Sequence, residues 1–173
     1  MINLLNRCLP STYPELLLSI PGGTRQKPGA SASDPQTKRG VIMASGRRPL
    51  ILYLEDDKDA HSITTSMLDQ LGCRVRGETD SLKALRTFSE EPDAYDLAIL
   101  ETLMPQLTGL ELAARFRRIR PGFPVLFYTG RANQSWAHKI EAAGFGRVVF
   151  KSLPVEKLGG AIQEALRGGA KGL

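Results

Sequence analysis

Five polar side chains stand where apolar runs stop. Glu55 and Asp56 follow Leu50-Ile51-Leu52-Tyr53-Leu54, and Glu101 follows Leu97-Ala98-Ile99-Leu100. Thr129 follows Val125-Leu126-Phe127-Tyr128, and Lys151 follows Val148-Val149-Phe150. Carboxylates brought together repel and raise one another's pKa unless a cation neutralises them. Oxygen ligands of this kind suit a hard, largely hydrated octahedral ion, which makes Glu55, Asp56 and Glu101 candidate ligands of a weakly held Mg2+. A hydroxyl and an ammonium beside such an ion, here Thr129 and Lys151, are donors suited to phosphoryl oxygens. Taken singly, each residue reads as a helix cap or a solvated charge. Their recurrence at the ends of four apolar runs is what points to a site.

The elements that must position these residues follow from periodicity. Short continuous apolar runs read as strands buried on both faces. A shorter second strand is expected at Cys73-Arg74-Val75-Arg76-Gly77. Between the strands, helical spacing recurs in Ile63, Met67, Leu68 and Leu71; in Leu82, Leu85 and Phe88; in Leu110, Ala113 and Phe116; and in Trp136, Ile140 and Ala143. Val155, Leu158, Ile162 and Leu166 continue the pattern in a last helix opened by Pro154. Asp57 and Asp80 are placed to cap the first two helices, and Gly72 and Gly144 to end the first and fourth. Five strands alternating with five helices imply an α/β fold: a doubly wound, five-stranded parallel sheet in flavodoxin-like order. Such sheets carry their sites at the carboxyl ends of the strands. His61 and His138 fall on helices, where a structural role is expected, and Trp136 beside Ile140 reads as core. No glycine-rich phosphate loop follows the first strand, which argues against a flavin or nucleotide carrier.

Charge separates the chain into a tail and a body. Residues 1–48 hold seven of the 23 basic residues and two of the 18 acidic ones. That segment therefore carries the whole formal charge of +5, and the rest, with sixteen of each sign, carries none. A basic tail on a neutral body gives no specific nucleic-acid surface. Five prolines and five glycines in residues 1–48 predict a disordered extension, ahead of a folded domain at 49–168 and a flexible tail at 169–173. Met43-Ala44-Ser45-Gly46-Arg47-Arg48-Pro49 also reads as a translation start, so that residues 1–42 are either an optional extension or a true tail. On either reading, the expectation from the sequence is that removing them leaves the melting temperature nearly unchanged. Cys8 and Cys73 are too few and too far apart for a disulfide framework or a zinc site. No apolar run approaches the roughly 20 residues of a membrane span.

From about residue 49 to 168 the chain resembles the receiver domain of bacterial two-component response regulators. Ile51-Leu52-Tyr53-Leu54-Glu55-Asp56-Asp57 resembles the family's first strand with its acidic pair on Glu55 and Asp56. The stretch from Tyr95 to Leu112, with Met104-Pro105 and Gly109, resembles the phosphoacceptor segment. Phe123 to Gly130 carries the switch hydroxyl on Thr129, and Phe150-Lys151 the family lysine. The resemblance implies a cytoplasmic signalling domain, a monomer or weak dimer, that works by protein–protein contact rather than as an enzyme. Its implied partners are a histidine kinase, a phosphotransfer protein or a downstream regulator, docked on roughly residues 132–166. Three positions depart from the family. Glu101 replaces the phosphoacceptor aspartate, Ser152 replaces the cis-proline after the lysine, and Val148 stands where an aromatic switch residue is found. Glu101 adds one methylene and is placed to pair directly with Lys151 or Thr129. The expectation is a phosphorylation-independent receiver with Glu101 in the phosphoacceptor place. The alternative is a metal-dependent phosphatase or phosphotransferase on the same fold.

Overall fold

The computed structural model describes Gly40, Val41 and Met43 and the stretches 45–130, 134–142 and 144–168; the side chains of 134–136 and 139 are outside the described set. Strands β1 (Leu50–Leu54), β2 (Arg74–Glu78), β3 (Leu97–Leu100), β4 (Val125–Thr129) and β5 (Arg147–Phe150) form one parallel sheet in the order β2-β1-β3-β4-β5. Between and after them run helices α1 (Lys58–Gln70), α2 (Ser81–Glu90), α3 (Gly109–Ile119), α4 (Gln134–Ala142) and α5 (Val155–Gly168). The doubly wound α/β sheet expected from the alternation of elements is the fold observed.

Alternation along the strands divides the core between two faces. Leu52, Leu100 and Phe127 face Phe88 of α2, Phe116 of α3 and Ile140 of α4. Tyr53, Ile99 and Tyr128 face Leu68 of α1 and Leu158 and Ile162 of α5. Asp57 caps α1 through the N–H groups of Asp59 and Ala60, and Asp80 caps α2 through that of Lys83. Helix α3 begins with a reciprocal capping box between Thr108 and Glu111.

Two helices bury part of the apolar stripe their spacing suggests, with Leu68 on α1 and Phe88 on α2 in the core, and turn its first residue outward. On α1, Ile63 is 62% exposed while Thr64 and Leu68 are buried; on α2, Leu82 is 44% exposed while Ser81, Ala84 and Phe88 are buried. The inward face of α1 is partly polar because His61 stacks on Tyr53, with ring centroids 5.2 Å apart. Ser81 is drawn in by the loop after β3: its hydroxyl donates to the Pro105 carbonyl and accepts from the Leu107 N–H.

The boundary of the folded body lies earlier than residue 49. Val41 is 4% exposed within the α1/α5 core, and its N–H donates to the Leu71 carbonyl at 2.6 Å. Arg47 forms a two-point pair with Asp96, and Arg48 donates to the carbonyls of Gly72 and Cys73. Val41-Ile42-Met43-Ala44 is too short and too isolated an apolar run to carry a periodic signal, which is why the sequence pattern places these residues in the tail. Tyr13, Cys8 and residues 169–173 lie outside the described residues. Burying one valine is worth about 2 kcal/mol. Removal of residues 1–42 is therefore expected to lower the melting temperature by several degrees. An unchanged melting curve would contradict the packing of Val41.

Candidate functional site

The strand register brings the polar residues to one edge. Leu54 pairs with Leu100, so Glu55 and Glu101 leave the sheet side by side; Thr129 pairs with Phe150, so Lys151 emerges next to Thr129. From β5 to β1 is three strand spacings, about 14 Å. The gap is closed by two long side chains meeting head to head, Lys151 and Glu55.

Glu101 is the hub. Its Oε1 faces three donors: the Thr102 N–H at 2.6 Å, the Thr102 hydroxyl at 2.9 Å and the Thr129 hydroxyl at 2.6 Å. Its Oε2 accepts from Lys151 Nζ at 2.8 Å. The extra methylene of glutamate lets the carboxylate fold back onto the peptide N–H that follows it. The chain after Glu101 is tightly held: the Gly109 N–H donates to the Thr102 carbonyl at 3.0 Å. A Cβ on Gly109 would lie 2.3 Å from the Glu101 carbonyl oxygen, so the start of α3 tolerates only glycine there.

Lys151 is the cation of the site among the described residues. Its ammonium pairs with Glu55 Oε2 and Glu101 Oε2 and lies 5.9 Å from the centre of the Tyr128 ring. Glu55, Glu101 and Thr129 are 3%, 6% and 2% exposed. Burial disfavours the charged form of Glu101, but hydrogen bonds from Lys151, Thr129 and the Thr102 N–H outweigh it and hold its carboxyl below the ordinary glutamate range. Burial likewise disfavours the Lys151 ammonium, and its bonds to Glu101 and Glu55 more than compensate, so its pKa is raised.

Of the five residues singled out in the sequence, four meet: Glu55, Glu101, Thr129 and Lys151. Asp56 does not join them. It is exposed and takes part in no hydrogen bond or ion pair described. The donor set consequently fits Mg2+ poorly. The oxygens of Glu55 and Glu101 that point into the site are bound to an ammonium and to hydroxyls, and Asp56 stands apart. Among the described residues no group of three His, Cys, Asp or Glu is placed to hold an ion. The peptide bonds described are all trans, that between Lys151 and Ser152 included. Val148 is half-buried against the core that contains Phe127 and Ile140. His61 is half-buried on Tyr53, and His138 is exposed. Trp136 belongs to α4, but its side chain lies outside the described residues. Cys73 is buried, and burial pushes its thiol up to about 11.

Two contributors escape the sequence pattern. Tyr53 is fully buried, burial pushes its phenol up, and its hydroxyl donates to Glu55 Oε2 at 3.3 Å. A phenol two residues before Glu55, on the same side of the strand, is the signal that points to it. Thr102 is the other; its only signal is adjacency to Glu101.

These features place the chain among doubly wound α/β domains with a polar site at the carboxyl edge of the sheet. Residues 51–163 match the family of the response regulator receiver domain, and the chain belongs to that family of two-component signalling domains. It is 28% identical over 116 residues to the response regulator receiver protein CpdR of Brucella abortus, a match that covers 67% of this chain and 95% of that protein. It is 30% identical over 144 residues to the virulence sensor protein BvgS of Bordetella pertussis, covering 79% of this chain. It is 29% identical over 83 residues to transcription factor SKN7 of Chaetomium thermophilum, covering 48% of this chain. The matched part is 11% of each of those two longer proteins. The fold is similar to that of a receiver domain protein from Clostridium thermocellum, with a TM-score of 0.65 at 24% identity over 69% of this chain and 94% of that one. A CheY-like receiver protein of Methanospirillum hungatei gives a TM-score of 0.62 at 24% identity, over 72% of this chain and 98% of that one. No helix among the described residues is long and apolar enough to cross a membrane.

Proposed function

We propose that this receiver domain signals by binding a protein partner in the cytoplasm, as a monomer or weak dimer, without being phosphorylated. The observation that carries the proposal is the occupancy of Glu101. Attack on a phosphoryl group needs a free lone pair in line with phosphorus. Three donors meet one oxygen of Glu101 and Lys151 holds the other. The donors that would steady a transferred phosphoryl group, Thr129 and Lys151, are bound to the acceptor itself. The partner is a histidine kinase, a phosphotransfer protein or a downstream regulator. A metal-dependent phosphatase or phosphotransferase would need oxygen ligands assembled round an ion, whereas Glu55 and Glu101 are assembled round an ammonium. The test is intact-protein mass after exposure to a small phosphodonor such as acetyl phosphate. Wild type is expected to stay unmodified; a phosphoryl group on wild type that is lost in Glu101→Gln would refute the proposal.

The same occupancy bears on the metal. A divalent ion must displace the Lys151 ammonium to reach Glu55 and Glu101. Amide resonances of residues 55, 56, 101 and 102 are therefore expected to stay in place at millimolar magnesium in wild type. They are expected to shift in Lys151→Ala, where the two carboxylates lose their internal cation. Saturable shifts in wild type at millimolar magnesium would show that the ammonium yields.

A further inference from the structure

At the opposite edge of the sheet from Glu101, the amino ends of β4 and β5 frame a cavity of about 310 Å³. Val125, which opens β4 and lines the cavity, lies about 13 Å along the strand from Thr129. The volume is near the lower end of the range for small-molecule sites. Close backbone approach keeps side chains out of it on one side. Gly146 stands at a φ of +126°, and a Cβ there would lie 2.1 Å from the Val125 carbonyl oxygen. Pro124, Val125 and Ala165 give the cavity an apolar wall.

Arg117 also lines it, and its guanidinium is held before any ligand arrives. Nη1 donates to the Gly144 carbonyl at 2.6 Å, Nε donates to the Phe123 carbonyl at 3.4 Å, and the centre of the Phe145 ring lies 5.2 Å from Cζ. Among the described residues Nη2 has no hydrogen-bond partner, and no carboxylate pairs with Arg117. Burial lowers its pKa with no acid to raise it, yet a guanidinium stays charged at any working pH. The other arginine of the lining, Arg147, is paired with Glu164. The charged lining, Arg117, Arg147 and Glu164, therefore sums to +1.

A preorganised guanidinium loses little freedom on binding and presents its remaining N–H groups to an oxyanion. One negative charge balances the site. A carboxylate supplies one, whereas a phosphomonoester brings close to two at neutral pH. The apolar wall suits the rest of such a molecule. We propose that this cavity binds a small organic monoanion, a carboxylate carried on an apolar body, with Arg117 taking the carboxylate and Pro124, Val125 and Ala165 packing the body. The site is separate from the polar edge at Glu101, and the inference does not depend on how that edge works.

The experiment titrates the full chain with sodium benzoate and follows the amide resonances of Val125, Gly146 and Arg147. Benzamide serves as the uncharged isostere, and inorganic phosphate at matched ionic strength as an anion without an apolar body. Benzoate is expected to shift the three resonances saturably at millimolar concentration. Benzamide and phosphate are each expected to bind about tenfold more weakly or not at all. Arg117→Met removes the charge and keeps much of the stem, and is expected to weaken benzoate binding about tenfold or more. Because Arg117 also holds the Phe123 and Gly144 carbonyls, a second variant leaves it in place: Ala165→Phe fills the cavity and is expected to abolish the shifts. Absent or unsaturable shifts with benzoate would overturn the inference. So would equal binding of benzamide or phosphate, or wild-type binding by either variant. Should a variant not fold, the three probes on wild type decide.

Discussion

Lys151→Met is expected to destabilise the domain by about 3–5 kcal/mol at pH 7, the range for removing one partner of a buried ion pair. For a domain of this size that is a fall of more than about 10 °C in melting temperature. The cost arises from what is left behind. Methionine fills similar volume, but Glu55 and Glu101 remain 3% and 6% exposed with no cation between them. The dependence on pH separates this cause from a packing defect. In wild type the Glu101 carboxyl titrates below its unfolded value, so its contribution is complete above about pH 4.3 and is lost as pH falls through the folded value. The Lys151 pKa is raised, so its contribution is complete below about pH 10.4 and is lost as pH rises through the folded value. Wild-type stability from this cluster is therefore flat across the neutral range. In Lys151→Met the burial of Glu101 is no longer offset by an ammonium, and the variant regains stability as acid neutralises that carboxylate. Urea midpoints at pH 5 and pH 7 are expected to show a smaller deficit at pH 5. An equal deficit at both values would assign the loss to packing instead of charge.

The fold was legible because its signals are redundant. Four of the five strands are short apolar runs, each helix has a cap or a terminating glycine, and a right-handed doubly wound sheet leaves few alternatives for five of each. The site was legible in its cast because doubly wound sheets expose the ends of their strands at one edge. Its wiring was not. Asp56 is as acidic as Glu55 in the sequence, but the chain turns toward the Asp57 cap of α1 immediately after Glu55 and leaves Asp56 facing solvent. Thr102 would point away from Glu101 in a continued strand, where successive side chains alternate. The strand ends at Leu100, and the turn that follows brings both side chains to one place. Tyr53 and His61 belong to separate elements of the sequence pattern, since a stack between a strand and a helix has no signature along the chain. The early boundary at Val41 escaped for the related reason that a four-residue apolar run, Val41 to Ala44, is too short to show a period.

The second large effect expected is a gain of reactivity on shortening one side chain. Glu101→Asp withdraws the carboxylate by about 1.5 Å. That is enough to break its contact with the Thr102 N–H and to open a gap in which Thr129 and Lys151 can face a phosphoryl group instead of the acceptor. A displacement of about 1 Å in such a step is worth about 100-fold in rate, so Glu101→Asp is expected to label at least that much faster than wild type. Ser152 and Val148 stay as they are in this variant. An unreactive Glu101→Asp would therefore mean that the loop after Lys151 also blocks the reaction, and that more than one departure separates this chain from a phosphorylatable receiver.

The measurement that bears most directly on the central claim is the intact mass of the wild-type protein after prolonged incubation with acetyl phosphate and magnesium, beside Glu101→Gln. With Glu101 held by Thr102, Thr129 and Lys151, the wild-type mass is expected to remain that of the unmodified chain. A wild-type protein that gains one phosphoryl group, with the gain abolished in Glu101→Gln, would contradict the claim.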